Sequence, residues 1–237
     1  MCQIDVDKLD YIRRDCYHLG IKMSCRFSRL ITSARVITTS EGYEVLGWPK
    51  KLEFNIFNLF AARYRLHKQV YNHHAIKAHE FIIVRILTKI KNSLKSKTWK
   101  LTDASIMCGL HHQFSDLYEK LQTRQIAKLV GEIVVKLPHQ SYRPEDPNPR
   151  TILDQTIQVT KIGFAGGNEN PLNQVYYYTK DEQNIGRRIS PQNNSFCVPA
   201  QHQELIVRMY SNTGTVAELH KKSWTEIKQN WLGKSTN

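Results

Sequence analysis

Nowhere in the chain does an apolar run reach the ~18 residues that a membrane-spanning helix requires. The start, Met1-Cys2-Gln3-Ile4-Asp5, has no basic segment followed by an apolar one, so it does not read as a secretion signal. Cysteine is scarce and scattered. There are five, Cys2, Cys16, Cys25, Cys108 and Cys197, with no CxxC pair. An odd, dispersed set counts against a disulfide framework or a cysteine-based zinc site and for a reducing compartment. An intracellular protein, nuclear or cytoplasmic, is expected. Histidine is present ten times, including His73-His74 and His111-His112, yet no His-Asp dipeptide and no HExxH occurs. No local motif therefore gathers histidines and carboxylates on one metal. A P-loop is missing too. Gly163-Phe-Ala-Gly-Gly167 is followed neither by Lys-Ser/Thr nor by a dinucleotide-binding unit.

What is abundant is positive charge and apolar material. Thirty-four Lys and Arg against 21 Asp and Glu give +13, with a pI near 9.5. That balance favours polyanionic partners such as nucleotides, nucleic acid or an anionic membrane, and is equally that of a generally basic surface. Hydrophobic residues make up 41% of the 237, enough for one large or two small cores and too many for a disordered chain.

Residues 5–19 read as a helix, with Asp5 and Asp7 at its positive end and Gly20 as its stop. Residues 25–33 read as a second, short helix, and Arg35–Trp48 alternates around Glu41-Gly42 as a hairpin. After Pro49, Phe54, Phe57, Phe60 and Tyr64 recur at helical spacing, and apolar content continues to Leu87. The basic run Lys89–Lys100 reads as a loop and Gln113–Lys128 as a helix. Gly131–Lys136, Ile152–Ile162 and Val175–Thr179 read as strands, and His139–Arg150, with Pro144, Pro147 and Pro149, as a loop. Ala200–Tyr210 and Val216–Trp231 read as helices. The expected fold class is α+β, mainly helical: a helical part over 1–128, then a small α+β lobe over 129–237.

Two stripes stand out. Asp7, Tyr11 and Asp15 are spaced i, i+4, i+8, with Lys8 beside them, and so share one helix face. Carboxylates, a cation and a phenol there suit a metal, a phosphate and a sugar; the same spacing also suits a solvated face with local ion pairs. Arg63, His67 and Tyr71 repeat the spacing. A guanidinium matches phosphate oxygens, and His67 and Tyr71 suit a nucleotide pocket, while packing beside the Phe54, Phe57 and Phe60 face would also account for them.

Several segments together resemble one family. DVDKLDYIRRDCYHLG (5–20), LFAARYRLHKQVYNH (59–73), LVGEI (129–133), NPLNQVYYYTK (170–180) and VPAQHQELIVRMYSN (198–212) are similar, in order and approximate spacing, to the C-terminal part of the SAM-and-HD-domain dNTP triphosphohydrolases. The resemblance runs from residue 4 to about 231, with a shorter loop around 90–105. It implies the end of an HD domain followed by a regulatory lobe. In that family a histidine, a His-Asp pair and a distant aspartate hold a divalent or iron-type metal. An activated water attacks the α-phosphate, releasing deoxynucleoside and triphosphate.

The resemblance makes Asp7 the distant metal ligand, Lys8 a phosphate contact, Tyr11 a sugar contact and Asp15 the carboxylate on the 3′-hydroxyl. It makes Arg63 the terminal-phosphate arginine, and His67 and Tyr71 pocket residues. The family is a tetramer activated by GTP and dNTP at its interfaces. Arg29, Lys51, Asn55, His73 and Lys180 match positions of that allosteric site, whereas Pro49 replaces an arginine and His74 a lysine. With the His-Asp pair missing, the chain is expected to be an inactive fragment of such a dGTPase. A non-catalytic regulatory or single-stranded nucleic-acid-binding remnant is the alternative.

Overall fold

A computed structural model describes residues 4–23, 26–90, 102–104, 115–137, 142–143, 149–165, 167–188, 199 and 201–232. Most of the expected loops at Lys89–Lys100 and His139–Arg150, the pair His111-His112, and Cys2, Cys25, Cys108 and Cys197 lie outside the described residues. The chain is mixed helix and strand and forms two compact units. One is Met1–Tyr71 with Lys161–Leu205; the other is Asn72–Thr160 with Ile206–Asn237. This division falls at different places from the sequence boundary between 128 and 129.

The first unit begins with α1 (Val6–His18). The Asp5 carboxylate accepts from the Lys8 N–H at 2.6 Å and caps the helix, and that bond holds its carboxyl below the usual range. Gly20, at φ 66°, ends the helix in the left-handed region that glycine tolerates best. After α2 (Phe27–Ser33), the expected hairpin forms as β1 (Arg35–Thr39) and β2 (Glu44–Pro49). A single turn of 3-10 helix, Lys50–Leu52, leads into α3 (Glu53–Leu66). A π-helical turn, His67–Tyr71, follows.

Strands from far along the chain close the hairpin into a four-stranded barrel. They are β6 (Tyr176–Tyr178) and β7 (Ile185–Arg188), in the order β1-β2-β6-β7. Ile37 fills the barrel, and a Cβ added at Gly47 would stand 2.0 Å from its Cδ1. The unit's core runs through Ile12, Leu30, Trp48, Leu52, Ile56 and Phe60. The Trp48 indole N–H donates to the Leu30 carbonyl at 3.0 Å, so the buried ring leaves no polar atom unmet.

The second unit contains α4 (His74–Ile90) and α5 (Ser115–Gln122), which share a small cluster of Ile82, Ile86 and Leu117. The helix expected over Gln113–Lys128 therefore stops at Gln122, and Lys128 already begins β3 (Lys128–Lys136). Arg124, at φ 55°, turns the chain between them. The single strand expected over Ile152–Ile162 is a hairpin of β4 (Arg150–Ile152) and β5 (Gln155–Gly163), reversed at Leu153 with φ 53°.

Ala200–Tyr210 corrects a second expectation. It is not a helix: Gln203–Ser211 forms β8, an inner strand of the sheet β3-β8-β5-β4. Its side chains from Leu205 to Ser211 are all buried, and a strand buried on both faces reads as one apolar run without alternation. The last helix, α6 (Glu218–Leu232), forms as expected. Its His220 accepts from the Ala217 N–H at 3.0 Å and meets the Asp154 carboxylate at 2.7 Å. Among the described residues no helix is long and apolar enough to cross a membrane.

Candidate functional site

The two stripes meet within the first unit. The Tyr71 hydroxyl donates to Asp15 Oδ2 at 2.5 Å, across 56 positions of sequence. The Tyr11 and Tyr71 rings lie 6.4 Å apart, tilted by 58°. The Arg63 charge lies near enough to the Tyr11 hydroxyl to act on its ionisation. His67 stands edge-on to Tyr71, with ring centres 5.1 Å apart. The π turn matters here, because a wider turn re-aims side chains relative to α3, and such turns recur at functional sites.

Burial sets the electrostatics. Desolvation raises the Tyr11 hydroxyl although Arg63 acts the other way. It also raises Tyr71, with the bond to Asp15 adding to the effect, so both phenols are protonated donors near neutrality. His67 is pulled down from 6.5 to about 4, chiefly by burial and then by the Arg63 charge. It is a neutral imidazole at pH 7. Because its folded value lies below the unfolded one, the stability linked to His67 is whole above about pH 6.5. It is lost as pH falls toward about 4. A histidine NMR titration is expected to place the His67 midpoint near 4, well below its ordinary 6.5. Arg63→Ala should move it only part of the way back, since burial is the larger cause. A midpoint near 6.5 in the unaltered chain would contradict this.

The remaining expected residues divide. Lys8, little exposed, pairs with Asp5 at 3.3 Å. Asp7 is exposed at the start of α1, and among the described residues no three His, Cys, Asp or Glu side chains form a group that could hold a metal ion. One carboxylate does not fit a bound divalent or ferric ion, which takes about four or more donors. Lys51 and Lys180, with Pro49, line a separate pocket of about 450 Å³ that Arg35, Lys50, Thr179 and Tyr178 also border. Arg29 lies on α2, one turn before the pocket residue Thr32, and Asn55 on α3, while His73 and His74 belong to the second unit.

Sequence reading missed four residues of the first unit. Gly163 accepts from Arg63 at 2.7 Å, and Phe164 stacks on Tyr64. Glu204 meets both Tyr64 and Lys68, and the Phe164 N–H donates to the His202 carbonyl. All lie about 100 or more positions from α3 in sequence, and no local pattern joins them.

No protein-family model matches the chain. It is 25% identical to the deoxynucleoside triphosphate triphosphohydrolase SAMHD1 homolog of Dictyostelium discoideum, over 96% of this chain and 48% of that protein. It is 27% identical to deoxynucleoside triphosphate triphosphohydrolase SAMHD1 of Homo sapiens, over 87% and 39%. It is 29% identical to an HD domain-containing protein of Acanthamoeba polyphaga mimivirus, over 91% and 54%. The chain thus resembles the SAM-and-HD-domain triphosphohydrolases over most of its own length and spans about half or less of theirs.

Proposed function

We propose that the first unit is the sugar- and phosphate-binding side of a dNTP triphosphohydrolase site, and that the 237-residue chain alone binds dNTP without hydrolysing it. The observation that carries this is the convergence of Asp15, Tyr71, Tyr11 and Arg63, drawn from two distant helical segments. A chance pair of solvated faces has no reason to meet through a half-buried phenol and a carboxylate. In this reading Asp15 accepts the 3′-hydroxyl and Tyr11 packs against the sugar. Lys8 and Arg63 take phosphate oxygens, neutral His67 donates to the phosphates, and Tyr71 lines the pocket while its hydroxyl holds Asp15. Asp7 is one ligand of a metal such as manganese, magnesium or iron, and among the described residues no other ligands gather with it.

The pocket bordered by Lys51 and Lys180 is the remnant of an activating-nucleotide site, with Arg29, Asn55 and His73 as further contributors in a homotetramer. Pro49 and His74 replace cations there, so GTP and dNTP bind it weakly. Residues 1–128 are then the end of the HD domain and 129–237 the regulatory lobe. The net charge of +13 favours a second reading, a surface for single-stranded nucleic acid.

Calorimetry with dGTP and 2′,3′-dideoxy-GTP tests the main reading. Removing one charge-assisted hydrogen bond costs about 1.5–3 kcal/mol, so Asp15→Ala is expected to lower dGTP affinity by about tenfold or more. The same variant should no longer distinguish the two nucleotides, and Tyr71→Phe should weaken dGTP less. Equal affinity of the unaltered chain for dGTP and its dideoxy analogue would remove Asp15 from the sugar. Tight single-stranded DNA binding that falls steeply with salt, with no nucleotide binding, would favour the second reading.

A further inference from the structure

The segment Gly163–Gly167 has no phosphate-loop pattern, and the proposed site gives it no part. Its first residue nevertheless meets the phosphate arginine, since Arg63 Nη1 donates to the Gly163 carbonyl at 2.7 Å. Phe164, buried at 8% exposure, explains why that carbonyl is there. Its ring stacks on Tyr64, with centres 4.8 Å apart and planes within 7°, and on Phe57 at 6.2 Å and 14°. Phe57 and Tyr64 are seven positions apart and so share a face of α3, and Tyr64 adjoins Arg63.

The stack is held from two directions. The Tyr64 hydroxyl donates to Glu204 Oε1 at 2.9 Å and accepts from Lys68, which pairs with the same carboxylate at 2.8 Å. The Phe164 N–H donates to the His202 carbonyl at 3.0 Å. The approach is close: a Cβ at Gly163 would stand 2.7 Å from the His202 oxygen. Ala165 then takes φ 91°, a conformation costly for a residue with a side chain. A strained segment kept in place by an aromatic stack is one whose position the surrounding contacts fix.

We propose that Phe164 is a positioning residue for Arg63, setting the Gly163 carbonyl as a fixed acceptor that aims the guanidinium at the triphosphate. The inference rests on the reading of Arg63 as a phosphate contact. Arginine carries five donors on a planar fork. One nitrogen held by the Gly163 carbonyl leaves the other donors oriented before ligand arrives, and a pre-oriented group loses less freedom on binding.

The test is calorimetric titration of inorganic triphosphate in a Lys51→Ala/Lys180→Ala background, which removes the lysines of the other basic pocket. Arg63→Ala is expected to lower affinity by about tenfold. Phe164→Leu should lower it several-fold, and Phe164→Tyr should keep it. Phe164→Leu combined with Arg63→Ala should be no weaker than Arg63→Ala alone, because both act through one guanidinium. An unchanged Phe164→Leu, or additive losses, overturns the positioning role while leaving Arg63 as a phosphate contact. An unchanged Arg63→Ala removes the phosphate reading and this inference with it. A measurement free of any folding effect of the variants is the Arg63 side-chain NMR spectrum of the unaltered, ligand-free chain. A held guanidinium gives separate, slowly exchanging N–H resonances, and a rotationally averaged one overturns the proposal.

Discussion

Incubated with dGTP, GTP as activator and manganese, magnesium or iron, the purified 237-residue chain is expected to release no inorganic triphosphate. The reason is a donor count. Asp7 is the only residue that the resemblance assigns to the metal, the sequence contains no His-Asp pair, and among the described residues no three ligating side chains converge. In the proposed site the cations Lys8 and Arg63 would orient a triphosphate and offset part of its charge, but they would not make a nucleophile. A bound metal does so by lowering the pKa of its water from 15.7 to about 7. Nearly nine orders of magnitude in water acidity are not recovered by two side-chain cations. Weak dNTP binding is expected to survive and to fall with rising salt, since exposed charges are screened within about 10 Å at 0.1 M. The control is Asp7→Ala. Metal-dependent turnover that disappears in that variant would refute the non-catalytic reading and would mean that another histidine, His18 or His73, completes the site.

The parts of this site that were legible in the sequence are those carried by helical spacing. Asp7, Tyr11 and Asp15, and Arg63, His67 and Tyr71, could be grouped because i, i+4 and i+8 fall on one face of any α-helix. That the two groups face one another is suggested by the paired spacing only together with the resemblance. The π turn at His67–Tyr71 left no mark in the residue pattern. The hairpin Arg35–Trp48 announced itself by alternation around Glu41-Gly42 and formed as read. Its closure into a barrel with β6 and β7 did not, because pairing Gly47 with Tyr176 or Thr38 with Ile185 depends on contacts more than a hundred positions apart. The misreading of Gln203–Ser211 as a helix has a definite cause. Period separates strand from helix only when one face is wet, and every side chain from Leu205 onward is buried. Glu204 and Phe164, which brace Arg63's neighbours, went unseen for the same reason of distance.

Replacing Glu132 by alanine is expected to destabilise the second unit by roughly 3 kcal/mol, a fall in Tm on the order of 10 °C. The cause is Arg208, whose side chain is 4% exposed within the sheet. Its Nε donates to Glu132 Oε2 and its Nη1 to the Asn72 carbonyl, each at 2.5 Å. Arginine does not shed its proton under any condition at which the protein folds, so it cannot neutralise itself as a buried lysine would. Removing the carboxylate leaves a desolvated cation with one neutral acceptor. Glu132 is itself 37% exposed, which lets solvent reach the vacated position and keeps the expected cost at the low end for a broken buried pair. Glu132→Gln retains an acceptor for the same donor and should cost clearly less. Replacing both partners, Arg208→Met with Glu132→Leu, should cost less than Glu132→Ala, because no unpaired charge remains. The pair also has a local consequence. Arg208 on Asn72 and the Tyr210 hydroxyl on the His74 carbonyl at 3.3 Å grip the backbone on either side of His73, where α4 begins. Loosening that grip should raise amide hydrogen exchange at 72–75 in Glu132→Ala before the unit as a whole unfolds. Thermal melts of the three variants, with exchange read at those amides, decide the matter. A Glu132→Ala melt equal to that of the unaltered chain would mean that water, and not Glu132, keeps Arg208 solvated.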